Sequence, residues 1–359
     1  MSRMTIYCWT ILVAKHGMWI EIKARSVLAS LFCLLSLIAC NPGPKLIQHR
    51  FEGSTMGTQY HVSIVVNEGD SLEATVEPGI HNLLADIDQQ MSTYIESSDL
   101  SNLNRAPVEA WLPVSEQLFA VLELAQNISR TTAGAFDITV GPLVNLWGFG
   151  PTRVNESSLP SEVEIQRLKS KIGFQQLQLN SELNRVKKSA DIYLDLSAIA
   201  KGFAADQASE FLSRQGLVNH MVEIGGEIKA RGYNSQGNAW RIGIEKPVSG
   251  QGFVQQAISI SDVGVATSGD YRNYYEVNGR RYSHTIDPAT GKPITHNLAS
   301  VTVIASTAAE ADAYATAFSV MGVDQAKLIA EDNNLAVYFI VRDGESFSSD
   351  ANRLLNKYL

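Results

Sequence analysis

Cysteine is absent from the sequence beyond residue 40, because the three cysteines of the 359-residue chain are Cys8, Cys33 and Cys40. This absence excludes disulfide bonds, a cysteine nucleophile and a thiolate metal site from the region that follows. Positive charge is also scarce: 29 Lys and Arg residues face 37 Asp and Glu residues, for a formal net charge of −8. This balance argues against nucleic-acid binding and disfavours a phosphate ligand unless a cation offsets the protein's charge.

Four common catalytic or nucleotide-binding motifs are missing as well. The chain contains no G-x-G-x-x-G, no G-x-x-x-x-G-K-[ST], no G-x-S-x-G and no H-E-x-x-H. Their absence argues against a glycine loop for dinucleotides or phosphates, a serine-hydrolase elbow and a helical zinc-protease site. If a nucleotide binds to this protein, other residues must hold its phosphates.

The hydrophobic run "VLASLFCLLSLIAC", residues 27–40, is shorter than the roughly 20 residues that a membrane span requires. It follows a positively charged flank and ends in a cysteine after small and apolar residues, which resembles a bacterial lipobox. We therefore predict a signal peptide over residues 1–40, lipidation at Cys40 and attachment to the periplasmic face of a bacterial membrane, inner or outer. The alternative is a buried hydrophobic helix with a chance cysteine. Met18 would be a more usual initiator for such a signal than Met1.

The remaining chain has the pattern of one globular unit. We predict a tether over residues 41–50, a domain over 51–341 and a C-terminal tail over 342–359. Strands occur in runs with helices interspersed, which favours an α+β fold with a largely antiparallel sheet, packed helices and a compact two-lobed shape. Helices are expected over 74–91, 115–130, 161–171, 198–214, 307–321 and 323–331, strands over 59–66, 176–180, 184–188, 192–196, 220–232, 240–247, 255–269, 299–306 and 335–341, and a shaped loop over 131–150.

The segment "STAAEADAYATAF", residues 306–318, contains a possible cation site. Thr307 and Glu310 fit a capping box, so a helix is predicted to begin at about Ala308. Asp312 and Thr316 are then one turn apart on the same face, where a carboxylate and a hydroxyl can both bind a hard cation such as Mg²⁺. The alternative is an exposed aspartate on an alanine-rich helix.

Two further segments suggest a ligand site. In "DIYLDLSAIAKGFAADQ", residues 191–207, Asp195 ends a predicted strand, Ser197 is a candidate helix cap and Lys201 can reach a phosphate as a point charge. Gly202 inside the helix indicates close packing or ligand approach. In "VEIGGEIKARG", residues 222–232, two glycines within a strand suggest a bulge or a ligand near the backbone. Ordinary junction and turn chemistry explains each segment equally well in isolation.

"YSHTIDPATGKPI", residues 282–294, places His284 near Asp287 at a turn rich in proline and glycine. A lone histidine is more often a surface or core residue than a catalyst, and Asp before Pro is a common turn starter. Because the ordinary pKa of histidine suits proton transfer near neutral pH, His284 is nevertheless a candidate general base.

Six blocks occur together and in order: "GAFDITVGPLVNLWGFG", "DLSAIAKGFAAD", "EIGGEIKARG", "VATSGDY", "YSHTIDPATGKPI" and "EADAYATAFSVMG". In this arrangement the chain resembles the ApbE family of FAD:protein FMN transferases, including its periplasmic lipoprotein members, over roughly residues 50–341. The resemblance implies an enzyme that binds FAD with Mg²⁺, transfers FMN to a threonine hydroxyl of a target flavoprotein and releases AMP. It also implies targets among subunits of Na⁺-pumping NADH:quinone oxidoreductase or the related Rnf complex.

The resemblance also implies roles for individual residues. His284 is expected to be the general base, and the metal ligands to be Asp312, Thr316 and the backbone carbonyl of Ala198. Lys201 stands where many relatives have Glu, and Ala315 where some have a second Asp, so the site departs from the family pattern at two positions. The expected FAD contacts are Met56, Tyr94, Ala135, Phe136, Asp137, Asp195, Lys201 and Ile286, with aromatic faces offered by Tyr94 and Phe136.

Two alternatives remain open at the level of sequence. A Mg²⁺-dependent FAD pyrophosphatase, which would give FMN and AMP, needs the same site with water as nucleophile. A flavin-binding lipoprotein without chemistry would need FAD affinity alone.

Overall fold

A twisted antiparallel sheet of eight strands runs through the unit formed by Leu46–Leu359. The computed structural model describes residues 45–70, 72–150, 159–248, 252–271, 273–344 and 346–359. The predicted signal peptide and the lipidation site Cys40 lie outside these residues. Among the residues that the structure describes, no helix combines the length and the apolar character needed to cross a membrane.

The strands are β1 Leu46–Thr55, β2 Thr58–Asn67, β3 Leu112–Pro113, β4 Leu177–Asn180, β5 Arg185–Lys188, β6 His220–Ile224, β7 Glu227–Arg231, β8 Trp240–Glu245, β9 Val254–Ile260, β10 Val263–Gly269, β11 Tyr274–Val277, β12 Arg280–Ser283, β13 Ile286–Asp287, β14 Lys292–Pro293, β15 Leu298–Ala305, β16 Ala336–Asp343 and β17 Ser346–Ala351. The helices are α1 Val76–Met91, α2 Asp99–Arg105, α3 Glu116–Thr131, α4 Gly141–Leu146, α5 Glu162–Lys169, α6 Ala200–Arg214, α7 Ala308–Met321 and α8 Val323–Asp332, and short 3₁₀ helices cover Phe174–Gln176 and Arg353–Tyr358.

The central sheet follows the order β1-β2-β6-β7-β10-β15-β16-β17, and every neighbouring pair is antiparallel. This confirms the α+β class and the antiparallel sheet. Strand β15 is buried along its whole length, as expected for a strand in the interior of a sheet that is covered on both faces.

Helices cover one face of the sheet and form the main core with it. Helix α1 shows how the sequence dictates this arrangement, because its buried residues Val76, Ile80, Leu84, Ile87 and Met91 recur at helical spacing. Each fully buried Leu or Ile stabilises the fold by about 1.5–3 kcal/mol relative to an exposed one. The other face packs against the β8–β9 hairpin and the C-terminal 3₁₀ helix in a second cluster that contains Trp240, Ile258 and Leu355.

Several predicted boundaries need correction. Residues 46–50, predicted as part of the tether, form the first half of strand β1 and pair with β2. The predicted tail, residues 342–359, forms the end of β16, strand β17 and a 3₁₀ helix whose Leu355 is buried. Polar sequences such as "SFSSDANR" lack the hydrophobic pattern that would predict these elements, because an edge strand and a short helix bury few side chains.

Two internal predictions also change. The segment 192–196 is extended but is not a strand, because its backbone bonds to a helix side chain and a loop carbonyl: Leu194 N to Asn104 Oδ1 of α2 at 2.7 Å and Asp195 N to Ile138 O at 2.7 Å. The segment 131–150, predicted as a loop throughout, contains the end of α3 and the short helix α4, for which Pro142 is well suited in the first turn.

Candidate active site

The site is organised by the crossing of helices α6 and α7. A Cβ atom on Gly202 would lie 2.3 Å from the backbone oxygen of Ala308, so only glycine allows α6 to approach the start of α7 this closely. Gly264 of β10 meets the same turn, where its Cβ would lie 2.2 Å from Ala308 N. Close backbone packing, one of the two expected reasons for Gly202, is therefore confirmed.

Polar groups anchor the first turn of α7. Thr307 and Glu310 form the predicted capping box, with each side chain bonded to the other's backbone N–H. Asp206 of α6 accepts hydrogen bonds from the backbone N–H groups of Ala308 and Ala309, both at 2.9 Å. Burial raises the pKa of Asp206 to about 6, although these two bonds and Lys229 act in the opposite direction.

Asp312 lies inside the site that this crossing creates. Its side chain is 5% exposed, and its Oδ2 accepts a bond from Gly202 N at 3.3 Å. Burial raises the pKa of Asp312, while the nearby Lys201 ammonium favours the ionised form. The prediction of an exposed aspartate on an alanine-rich helix is therefore excluded. Thr316 follows one turn later and is partly buried.

Lys201 lies between two carboxylates. Its Nζ is 3.9 Å from Asp312 Oδ2 and 3.6 Å from Glu227 Oε1, and it donates to the carbonyl of Ser197 at 3.1 Å. Burial alone would lower the pKa of Lys201, but Asp312 and Glu227 outweigh it, so the net shift is upward and the ammonium stays charged. Burial raises the pKa of Glu227 to about 8, and Asp312 adds to this rise while the Lys201 ammonium opposes it. The site thus places one ammonium and two buried carboxyl groups beside the turn that contains Ala198.

The glycine pair of "EIGGEI" is a hairpin turn and not a bulge. Gly225 and Gly226 have φ of +63° and +108° and connect β6 to β7 with Ile224 opposite Glu227. A Cβ on Gly225 would lie 2.8 Å from Thr58 and 3.3 Å from the Lys201 side chain. The turn therefore contacts both Lys201 and the end of the β1–β2 hairpin, where Met56, an expected FAD contact, has φ of +49°.

The segments that lead into α4 and α6 meet beside Asp195. A Cβ on Gly141 would lie 3.3 Å from Asp195 Cβ and 3.0 Å from Tyr193, and Asp195 N bonds to Ile138 O. Burial raises the pKa of Tyr193, and the charge of Asp195 adds to this effect. Asp195 also bonds Ser197 N and Oγ at 2.8 and 2.5 Å, so it organises the turn before α6. The prediction that Ser197 caps α6 is wrong, because Ile199 is the N-cap residue of this helix.

Tyr94 and Phe136 differ in how well they match the expectation of open aromatic faces. Tyr94 is 70% exposed in the loop between α1 and α2, which leaves its ring free to stack on a planar ligand. Phe136 is 2% exposed and packs in the main core, so its ring presents no open face. The expectation that the Phe136 ring offers a face to the ligand is therefore wrong. The backbone of Phe136 and that of the partly buried Ala135 lie in the loop between α3 and α4.

Asp137 and Ile286 are also engaged within the protein. Asp137 accepts bonds from Thr139 N and Oγ1 and from Phe174 N at 2.7–3.0 Å, so its carboxylate holds the loop together. Ile286 is 4% exposed and packs in a third cluster with Trp147 and Tyr282. A ligand contact through the Asp137 carboxylate would have to displace these bonds.

His284 is oriented by the backbone. Its Nδ1 lies 3.0 Å from the carbonyl oxygen of Asn273, which can only accept, so Nδ1 carries the proton and Nε2 keeps its lone pair. Burial lowers the pKa of His284, and the bond to Asn273 and the charge of Asp270 oppose this shift. Lys201 lowers the pKa of His284 further, which places the imidazole within electrostatic reach of the Lys201 group.

A column of aromatic rings supports this histidine. Trp147 stacks on Tyr282 at 5.7 Å between ring centroids, Tyr282 on Tyr275 at 5.5 Å, and Tyr275 on Phe149 at 5.1 Å. Phe149 then meets the His284 ring edge-on at 6.3 Å. The column therefore limits the ring rotation of the candidate base.

Asp287 holds the turn and does not join the carboxylates near Lys201. Its Oδ1 accepts from Ala289 N at 2.8 Å, and its carbonyl accepts from Gly291 N at 2.7 Å, where φ is +74°. Trp147 Nε1 donates to Gly291 O at 2.9 Å, which ties the turn to the aromatic column. Residues 282–294 are thus both strand ends and a braced turn that carries His284.

The donors near Asp312 suit a hard cation, with one carboxylate, one hydroxyl and one backbone carbonyl as candidates. Within the described ranges, no group of three or more His, Cys, Asp or Glu residues is arranged to hold a metal ion.

Sequence reasoning did not identify Glu227, Asp206 or Asn273 as parts of this site. Glu227 stands directly after the glycine pair, which was a usable signal, but only the fold shows that its side chain points at Lys201. Asn273 acts through its backbone carbonyl, so its residue type carries no signal.

Comparison with known proteins gives consistent matches. The ApbE family model matches residues 56–339. Proteins named FAD:protein FMN transferase from Haemophilus influenzae and Escherichia coli are 41% identical over 343 residues and 42% identical over 301 residues. These alignments cover 93% and 83% of this chain and 98% and 85% of the relatives. The solved structure of the flavin transferase ApbE from Vibrio cholerae has a TM-score of 0.80 at 39% identity, and the match covers 88% of this chain and 100% of that one.

Proposed function

This chain belongs to the ApbE family, and we propose that it transfers the FMN part of FAD to a threonine hydroxyl of a protein acceptor and releases AMP. The observation that carries the proposal is the convergence of three elements on one site. Asp312 on α7, Lys201 on α6 and Glu227 on β7 meet there, within electrostatic reach of His284, whose Nε2 is free to accept a proton.

The donor set fits Mg²⁺, the cation that the reaction would use. Asp312 is a buried carboxylate with one long bond to Gly202 N, so its oxygens retain capacity for another partner. Thr316 would add its hydroxyl and Ala198 its backbone carbonyl. Such a cation, when bound, neutralises charge on the phosphoryl oxygens during phosphoryl transfer.

The protein's own residues supply the proton transfer. Nε2 of His284 takes the proton of the acceptor threonine as its oxygen forms a bond to the phosphorus of the FMN moiety. The bond between that phosphorus and the bridging oxygen breaks, and AMP leaves with the bridging oxygen. Lowering of the pKa keeps His284 neutral and ready to accept the proton at neutral pH. A positioned base of this kind contributes about 10²–10⁴-fold to the rate.

Location and acceptor are part of the same proposal. A lipid on Cys40 would hold the enzyme at the periplasmic face of a bacterial membrane, where exported flavoprotein domains are accessible. The acceptors would be subunits of Na⁺-pumping NADH:quinone oxidoreductase or Rnf type, as the resemblance implies. The order of signal, lipobox and domain in the sequence supports this location.

Intact-protein mass spectrometry tests the activity. The chain from residue 41 is incubated with FAD, Mg²⁺ and an acceptor domain from such a subunit, and the acceptor should gain the mass of FMN less one water. EDTA or Asp312→Asn should abolish the gain, whereas Asp324→Asn, an exposed aspartate in the first turn of α8, should not.

The products distinguish the alternatives. FMN and AMP without a change in the acceptor would identify a pyrophosphatase with water as the nucleophile. A carrier would leave FAD intact with every acceptor tried. It would also bind FAD measurably both as the parent protein and as Asp312→Asn.

A further inference from the structure

Glu227 is an unusual residue at this site. It is the first residue of β7 and is 6% exposed, and its Oε2 makes no hydrogen bond with any residue that the structure describes. An isolated carboxylate in such surroundings is unfavourable unless a cation compensates its charge, so burial raises the pKa of Glu227 to about 8 and the Lys201 ammonium opposes that rise. The only cation paired with Glu227 among the described residues is Lys201, at 3.6 Å.

The hairpin turn before Glu227 is shaped around Lys201. A Cβ on Gly225 would lie 3.3 Å from the Lys201 Cδ, tighter than ordinary contact, so the turn packs directly on the lysine stem. Among the described residues, the ammonium at the end of this stem donates one hydrogen bond within 3.5 Å, to Ser197 O. Asp312 and Glu227 attract the ammonium from the longer distances of 3.9 and 3.6 Å, and both raise the pKa of Lys201.

We propose that Glu227 is a positioning residue that holds the Lys201 ammonium in the site, where its free N–H donors meet the phosphate charge of FAD. The inference rests on the proposed function, since it names the residue pair that recognises the pyrophosphate.

The charges explain why Asp312 alone would not hold the Lys201 ammonium in place once a divalent cation is bound. Asp312 is the carboxylate that would bind a divalent cation, and a cation there repels the Lys201 ammonium. Glu227 attracts Lys201 from the other side, so the ammonium stays in place when Asp312 is occupied. Phosphate groups on FAD would then meet Lys201 in addition to the cation.

Substitution of both partners tests this role. Glu227→Gln keeps the shape and removes the charge, Lys201→Met removes the ammonium, and the double variant removes both. The matched control is Glu210→Gln, because Glu210 of α6 pairs with Arg231 of β7 at 3.2 Å and so joins the same two elements outside the site. FAD affinity is measured by flavin fluorescence in EDTA and again in Mg²⁺, and thermal unfolding is recorded for every variant.

We expect Lys201→Met and Glu227→Gln each to weaken FAD binding about tenfold, and the double variant to be no weaker than Lys201→Met. In turnover assays, Glu227→Gln should raise the KM for FAD more than it lowers kcat, because the pair binds charge that is already present in the substrate. Glu227→Asp should restore part of the affinity. The melting temperature of Glu227→Gln is compared with its FAD affinity, because loss of one partner of a buried ion pair can lower stability by itself.

Two results would overturn the inference. One is FAD affinity of Glu227→Gln within twofold of the parent protein in both buffers. The other is a double variant whose loss of FAD affinity equals the product of the two single losses, which would mean that Glu227 acts independently of Lys201. If the parent protein binds FAD with the expected pattern but modifies no acceptor, the transferase proposal fails and the Glu227 role stands.

Discussion

Gly202→Ala should damage the site through the backbone, without touching any group that takes part in the chemistry. The added Cβ would lie 2.3 Å from Ala308 O, 2.6 Å from Ala308 C and 2.7 Å from Ala309 N. Ordinary contact begins at about 3.4 Å, so α6 and α7 must separate by about 1 Å. The bond from Gly202 N to Asp312 Oδ2, already 3.3 Å long, would break.

The expected magnitudes differ for stability and for activity. Overpacking costs about 1–3 kcal/mol, and the better helix propensity of alanine returns about 1 kcal/mol, so the free energy of unfolding should fall by roughly 0–2 kcal/mol. Activity should fall much more, because a displacement of about 1 Å between catalytic groups can cost about 100-fold. The variant should therefore be folded but nearly inactive.

Gly79→Ala provides the matched control in another helix. There the added Cβ would meet the tip of the Phe211 ring at 2.5 Å, and a side chain can rotate away. FMN transfer by mass spectrometry and unfolding in urea should show Gly79→Ala close to the parent protein. Transfer by Gly202→Ala within threefold of the parent rate would refute the argument that the helix crossing sets the site.

Two further predictions concern pH. Because burial lowers the pKa of His284, the transfer rate should decline with falling pH only below 6.5. His284→Gln should abolish this decline, and a decline centred above 6.5 would contradict the role of His284 as the base. The pKa of Asp206 rises from 3.8 unfolded to about 6 folded, so its stabilising protonation is present at low pH and lost as pH rises through 6. The stability of the parent protein relative to Asp206→Asn should therefore fall by up to about 3 kcal/mol between pH 4 and 7, and a pH-independent difference in urea unfolding would exclude the assignment.

Helix α7 shows what the sequence can predict. The Thr307–Glu310 capping box, the start at Ala308 and the shared face of Asp312 and Thr316 all depend on residues three or four apart. Local rules of helix geometry are sufficient for such patterns. The runs of strands with interspersed helices predicted the antiparallel α+β fold, and the six ordered blocks predicted the family; both are confirmed.

Features that depend on distant contacts could not be predicted in this way. The segment 192–196 has the composition of a strand, but its partners are the side chain of Asn104 and the carbonyl of Ile138. Phe136 has the chemistry of a stacking residue, yet the fold buries it in the core. Glu227 became a site residue only when the hairpin turn pointed it at Lys201 from another element.

The order of the central sheet has a consequence for synthesis. Its strands lie in the order in which the ribosome makes them, from β1 at one edge to β17 at the other, so each strand has one sheet neighbour that is synthesised before it. The reactive centre does not share this gradual assembly, because Asp312 is translated long after Lys201 and Glu227. A nascent chain therefore contains most of the sheet before it contains every residue of the site. The full set of site residues exists only when nearly the whole polypeptide has been made.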